Sequence, residues 1–274
     1  MKKIGLIAGS IQTESYAKKI SQNLGMLLPS DFLPEIIKID DLPLFSDHLS
    51  LDDVEKCEAF RRSVSSVDGL CLVTPEINHG MPGCLKNAID IASVSDNGSC
   101  WSGKPTLTLS VSTGPMGGLG ASRDLKQVAL TVGMEILQPS EIYLGTVQKM
   151  LNQNDILQGN TMTMDFLRLA ITNLTKAVGG LDASRFAIQL NEKQLIFLDG
   201  EVTVGFCDFA LQNGMLTILK IQVEPAYRGR GIASQIMARC LVFGSLFGLK
   251  IIPQCSYAQT FFEKHPSARK MLAQ

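Results

Sequence analysis

The heptapeptide Gly9-Ser10-Ile11-Gln12-Thr13-Glu14-Ser15 sets hydroxyls at 10, 13 and 15 between an apolar run, Lys3–Ala8, and a helical pattern. Hydroxyls and bare backbone N–H groups at a helix start suit a single phosphate monoester. The same residues also suit an ordinary N-cap, with Ser15 or Thr13 satisfying the first turn. The spacing is neither GxGxxG nor a Walker loop. Two later stretches, Pro75–Pro82 and Thr113–Gly120, are likewise rich in Gly, Ser, Thr, Pro and Asn. Far along the chain, Arg228-Gly229-Arg230-Gly231-Ile232-Ala233 opens another helical pattern. A Gly-rich turn at a helix start is by itself a weak signal. Of the seven cysteines, none forms a CxxC pair or a Cys/His cluster with zinc spacing, so reduced thiols and no metal site are expected.

These residues need elements to position them. Strand patterns at Lys3–Ala8, Glu35–Ile39, Gly69–Thr74, Thr106–Ser112 and Glu135–Gln138 alternate with helical ones near Ser15–Leu28, Leu51–Val67, Gly83–Ala92, Ala121–Val132 and Asn154–Val178. That alternation predicts a doubly wound α/β domain with a parallel sheet covered on both faces. Ligands of such sheets lie beyond the carboxyl ends of the strands, where the three loops Gly9–Glu14, Pro75–Pro82 and Thr113–Gly120 fall. The pattern then changes. Phe186–Leu190, Gln194–Leu198, Thr203–Ala210 and Leu216–Val223 read as antiparallel strands, with Asp199-Gly200 and Asn213-Gly214 as turns. A helix from about Gly231 to Phe247, a strand Leu249–Pro253 and a short helical tail follow. Residues 1–180 carry 15 basic against 19 acidic side chains and residues 181–274 carry 10 against 7. The balance turns from −4 to +3, and a boundary at Gly179-Gly180 separates domains 1–180 and 181–274.

The stretch Pro75-Glu76-Ile77-Asn78-His79-Gly80-Met81-Pro82-Gly83-Cys84-Leu85-Lys86-Asn87-Ala88-Ile89-Asp90 resembles the PEYNxGxPGxLKNAID motif of the NADPH-dependent FMN reductase family. That family includes flavin-dependent quinone, azo-dye and chromate reductases. Gly9 to Ser15 is then similar to its GSxRxxS phosphate loop, and the likeness spans roughly residues 1–180 in the expected order. The resemblance implies a flavodoxin-like fold, FMN as cofactor, NAD(P)H as reductant and a small-molecule electron acceptor. It assigns Ser10, Gln12 and Ser15 to the FMN phosphate, with Thr13 a further donor by its chemistry. Pro75, Glu76, Ile77, Asn78 and Gly80 would line the flavin ring, mostly through backbone. The loop Ser112-Thr113-Gly114-Pro115-Met116-Gly117-Gly118 would cover its pyrimidine edge, the glycines permitting close backbone approach. Two residues depart from the family. Gln12 replaces the usual Arg, removing a charge-assisted contact worth about 1–2 kcal/mol. Ile77 replaces a common aromatic. Hydride transfer asks for stacking and orientation rather than an acid–base pair, so no catalytic side chain is named in this part. Relatives are commonly dimers or tetramers, which implies a homodimer or homotetramer here.

Other residues have plainer expectations. His79 reads as a rim or subunit-contact residue, and Lys86 with Asp90 as an i,i+4 pair. Cys84 and Cys100 read as small apolar fillers, Trp101 as a residue at a dimer interface, and His265 as a turn or packing residue.

The C-terminal turn carries a second resemblance. Arg228, Gly231 and Ala233 fill motif A of the GNAT acetyltransferases: Gln or Arg, two residues, Gly, one residue, then Gly or Ala. This implies a small GNAT-like α+β domain in which Val223, Arg228, Gly229, Gly231 and Ala233 hold acetyl-CoA, backbone N–H groups cradling its pyrophosphate. Pro253-Gln254-Cys255-Ser256-Tyr257 followed by His265-Pro266 resembles the end of roughly 90-residue GNAT-like domains, and residues 185–274 cover that unit. Cys255 is then a nucleophile or acetyl carrier, or else a buried cysteine at a strand end; no activating base is visible in the sequence. Gln222 stands where relatives often have Thr.

Two functions follow. One is an FMN-dependent NAD(P)H oxidoreductase reducing a quinone-like acceptor. The alternative is an acetyl-CoA-dependent N-acetyltransferase whose flavodoxin-like part regulates or dimerises it; a third reading has the small domain bind CoA or a protein partner without turnover. A formal charge of −1 and a pI near 6.3 leave no case for nucleic acid or an anionic membrane. The apolar run after Lys3 is too short for a secretory core, and none reaches the roughly 20 residues of a membrane span, so a cytoplasmic protein is expected.

Overall fold

A computed structural model describes residues 1–96, 98–179 and 186–273. The chain divides into two compact units, Met1–Leu24 with Pro34–Asp182 and Gly25–Leu33 with Ala183–Gln274. The cut expected at Gly179-Gly180 lies at the edge of residues 180–185, outside the described residues.

The first unit contains β1 (Lys2–Ala8), α1 (Tyr16–Leu27) as far as Leu24, β2 (Phe32–Ile36) from Pro34, α2 (Leu51–Ser65), β3 (Gly69–Pro75), α3 (Gly83–Ser93) and β4 (Pro105–Val111). It continues with α4 (Leu119–Thr131), β5 (Glu135–Ile136), β6 (Tyr143–Leu144) and α5 (Thr161–Gly179). The sheet order is β2-β1-β3-β4-β5, with β6 also on β4. This is the flavodoxin-like doubly wound order. Parallel ladders run from Ile4↔Gly69 to Ala8↔Val73 and from Leu70↔Thr106 to Pro75↔Val111. β1 and β3 are nearly continuous apolar runs because helices cover both faces: Ile4, Ile7, Leu70 and Leu72 are buried.

Three expectations change. β2 begins at Phe32 rather than Glu35, because a sheet-edge strand tolerates Pro34. Ile37 and Ile39 still turn inward, beyond the ladder's end. Next, α5 starts at Thr161 rather than Asn154. The Asn152 carboxamide accepts from the amides of Asn154 and Ile156 at 2.9 and 3.0 Å, and Asp155 takes φ 59°, which holds that stretch in a turn. Asn160 then caps the helix by accepting from Thr163 N–H at 2.8 Å. Finally, Trp101, expected at a dimer interface, is a core residue of the first unit. It is 1% exposed, donates to the Ile89 carbonyl at 2.9 Å and meets Phe60 edge-on at 6.1 Å.

The second unit contains β7 (Ala187–Leu190), β8 (Gln194–Asp199), β9 (Val202–Gln212), β10 (Met215–Val223), α6 (Ile232–Phe247), β11 (Lys250–Pro253) and α7 (Ser256–Lys264). Its sheet order is β11-β10-β9-β8-β7, antiparallel except for the parallel pair β10–β11. Asn213 and Gly214 both take positive φ, 51° and 72°, so they close the β9–β10 hairpin as the sequence predicts. Phe209 packs edge-on against Phe243 of α6 at 5.4 Å, over a core that includes Leu216, Ile218, Ile236 and Met237. Residues Gly25–Leu33 count with this unit, and within it the buried Arg239 donates to the carbonyls of Gly25, Pro29 and Phe32. Burial lowers its pKa to about 10. His265 stacks on Phe261 at 4.1 Å and bonds its carbonyl, the packing role expected of it.

Candidate functional site

Beyond the carboxyl ends of β1, β3 and β4 lies a cleft of about 400 Å³. Eight of the residues assigned from the sequence line it: Ser10, Gln12, Ser15, Pro75, Glu76, Ile77, Ser112 and Thr113. Thr13, Asn78, Gly80 and Gly117 stand off its wall. The lining residues not assigned from the sequence include Tyr16, Cys84 and Val147. Tyr16 follows directly on the hydroxyl loop, and Cys84, read as a filler, points its thiol at the Gly9 carbonyl at 3.7 Å. Val147 comes from a segment with no local motif. It is stitched in by its own amide on the Ser112 carbonyl and by Thr146 N–H on the Gly114 carbonyl, both at 3.1 Å.

The first loop holds its hydroxyls inward, Ser10 being 8% and Ser15 6% exposed. Each accepts one amide: Ser10 Oγ from Gln12 N–H at 3.3 Å, and Ser15 Oγ from Lys18 N–H at 3.4 Å. Ser15 is therefore the N-cap of α1, and the capping role holds. Neither hydroxyl donates its hydrogen within the described residues, so both keep a donor for a ligand. The first amides of α1, on Tyr16 and Ala17, also have no acceptor among the described residues. Glu14, on the rim, pairs with Lys19 at 2.9 Å, and among the described residues no Lys or Arg lines the cleft. The groups the described cleft offers an anion are hydroxyls and helix-end amides. Buried hydroxyls and open amides fit a phosphate monoester.

The second loop is a tight turn. Ile77 and Gly80 exchange both backbone bonds at 3.0 Å, and Asn78 and His79 take φ 50° and 64°. The turn aims the Asn78 and His79 side chains outward, the His79 side chain being 98% exposed. Gly117 lies against β6. At φ 63°, a Cβ there would stand 2.7 Å from the carbonyl carbon of Tyr143. Lys86 and Asp90 form the expected surface pair at 2.7 Å.

The second unit has its own opening. β10 pairs with β11 only as far as Ile218↔Pro253, where the Gln254 and Cys255 amides both converge on the Ile218 carbonyl at 3.1 and 3.0 Å. On the other side the β9 register slips between Ile218 and Lys220. From Lys220 to Val223, β10 is laddered to β9 alone, which splits the sheet. At the mouth of the split, Arg228 folds back to donate to the Val223 carbonyl at 3.2 Å. Gly229 and Gly231 take φ 75° and 76°, and Gly231 caps α6, with Ala233 in its first turn. The amides from Gly229 to Ala233 have no acceptor among the described residues. Cys255 is half-buried at the start of α7, and its thiol makes no hydrogen bond among the described residues. The buried Cys207 thiol is held upward in pKa by a hydrogen bond with the Cys240 thiol and by burial.

Residues 2–149 match the model of the NADPH-dependent FMN reductases, more than half of the chain. The chain belongs to that family. Residues 193–271 match the model of the GCN5-related N-acetyl-transferases, so the family's flavodoxin-like fold is here followed by that second domain. A quinone reductase of Pseudomonas putida is 37% identical over 166 residues, 60% of this chain and 88% of that protein. A 2-hydroxy-1,4-benzoquinone reductase of a Burkholderia species is 33% identical over 174 residues, 64% of this chain and 93% of that protein. Among solved structures, a flavoenzyme NAD(P)H:(acceptor) oxidoreductase of Paracoccus denitrificans superposes with a TM-score of 0.59 at 26% identity. That superposition covers 65% of this chain and 99% of that one. The chain is thus an oxidoreductase of the flavin-reductase type. Among the described residues, no helix is long and apolar enough to cross a membrane.

Proposed function

We propose that the cleft at the carboxyl ends of β1, β3 and β4 binds FMN and that the chain reduces quinones with NAD(P)H. The observation that carries this reading is the pair of buried serine hydroxyls, Ser10 and Ser15, each with a free hydrogen, beside the open amides of α1. Bound there, FMN supplies the hydride chemistry. The protein's share is binding and orientation. Ser10 and Ser15 donate to the phosphate, with Gln12 as a neutral neighbour where relatives carry a cation. Pro75 and Ile77 on one side, and Ser112, Thr113 and Val147 on the other, form the slot for the ring and keep water from its faces. A quinone acceptor is supported by the two reductases above. A homodimer or homotetramer and a cytoplasmic setting belong to the same reading. All seven cysteines are free, as a reducing compartment requires. FMN titration of the apo-chain tests the site, because loss of both serine hydroxyls should weaken FMN and leave CoA binding intact.

A second reading rests on the split of the sheet at Ile218: the unit from about residue 181 onward binds acetyl-CoA. The open edge of Lys220–Val223 would receive the pantetheine chain, and the free amides of Gly229–Ala233 the pyrophosphate. Calorimetry with CoA tests binding, and Cys255→Ala then separates a carrier of the acetyl group from a bystander.

A further inference from the structure

Glu76 lies at the flavin cleft, yet its carboxylate is spent on the protein itself. It is 17% exposed in the side chain, and its Oε2 accepts Gly120 N–H at 2.7 Å and Ala121 N–H at 3.2 Å. Those amides open α4, a helix of 13 residues whose positive end favours an anion. Glu76 therefore ties the second loop to the start of α4, where the third loop ends. A strut of opposite sense lies beside it: Asp124 of α4 reaches back, and its Oδ2 accepts Met81 N–H at 3.1 Å. The loops touch so closely that a Cβ on Gly120 would collide with the His79 carbonyl oxygen and come within 3.1 Å of Glu76 Oε2.

We infer that Glu76 is a positioning residue that fixes the separation of the two walls of the flavin slot, with Asp124 as its counterpart. This rests on the cleft being the FMN site. Pro75 and Ile77 flank Glu76 directly, while Ser112 and Thr113 belong to the loop that leads into α4, so its bonds to α4 link the two loops that carry the walls. A carboxylate does this better than an amide, because both acceptor bonds are charge-assisted and aligned with the dipole of α4.

The test uses the full chain with Glu76→Ala and Glu76→Gln, and the Ser10→Ala/Ser15→Ala pair for comparison. Amide hydrogen exchange, read residue by residue without FMN, reports the clamp alone. Glu76→Ala should speed exchange at Gly120 and Ala121 by about tenfold or more, with α2 unchanged. Glu76→Gln keeps an acceptor and should give a rise of about threefold. If Glu76→Ala does not fold, Glu76→Gln carries the test. With FMN added, Glu76→Ala should lose about tenfold in affinity and change the visible circular dichroism of the bound flavin. The serine pair should lose affinity while leaving that dichroism as it is in wild type. Unchanged exchange at Gly120 and Ala121 in the folded variants overturns the clamp and leaves the FMN reading standing. A wild-type chain that takes up no FMN, with the exchange shift still present, overturns that reading and with it the positioning role.

Discussion

Both units open a helix from a Gly-bearing turn after a strand, yet the two turns are built differently. In the first, Gly9 is hemmed in, since a Cβ there would come 2.8 Å from Leu85, and hydroxyls from Ser10 and Ser15 supply the donors. In the second, Gly229 and Gly231 have nothing within 4 Å of an added Cβ, and the donors are bare amides. A small phosphate monoester can be gripped by side chains from a closed wall. A longer pyrophosphate needs a run of unobstructed backbone. Gly9 is therefore a packing residue, whereas Gly229 and Gly231 face open space, and under the proposed acetyl-CoA reading substitutions should act on stability in the first unit and on binding in the second.

The largest effect that could break this contrast is at Gly120. Gly120→Val drives a side chain into the His79 carbonyl and should cost about 3 kcal/mol or more. Urea unfolding should show that loss in the first unit. Wild-type stability would mean the two loops can separate freely. Next in size, Ser10→Ala with Ser15→Ala should weaken FMN by about 2 kcal/mol, one hydrogen bond's worth per hydroxyl, with CoA affinity unchanged by calorimetry. A smaller gain comes from Gln12→Arg, which should tighten FMN by about 1–2 kcal/mol; an unchanged titration would mean position 12 does not reach the phosphate. Smallest in stability is Gly231→Ala, about 1 kcal/mol for a left-handed residue that meets no neighbour. Its CoA affinity should nevertheless fall severalfold, and equal CoA binding by the variant would contradict the clearance role.

The sequence carried the fold where local pattern and tertiary demand agree: apolar strands, helical periods and the Asn213-Gly214 turn are all readable in place. It carried the hydroxyl loop because Ser10, Gln12 and Ser15 are neighbours in the chain. It did not show Val147, which is brought to the cleft by backbone bonds to residues more than 30 positions away in sequence. Nor did it show that Glu76 and Gly120 serve contacts between the second loop and α4, or that Gly117 packs against β6, since one residue type suits both packing and a ligand wall. Trp101 misled for a related reason: a loop position says nothing of the core beneath it. The shifted start of β2 turned on Pro34, whose tolerance depends on the strand lying at the sheet edge.

The central claim is that the first cleft holds a reducible flavin. An absorbance spectrum of the purified chain supplied with FMN, taken before and after anaerobic NADPH, tests it most directly. The account predicts a protein-bound yellow chromophore that bleaches on NADPH and returns when a quinone is added. A chain that stays colourless in excess FMN would contradict it, and would mean that the loss of the family's arginine at Gln12 has emptied the site.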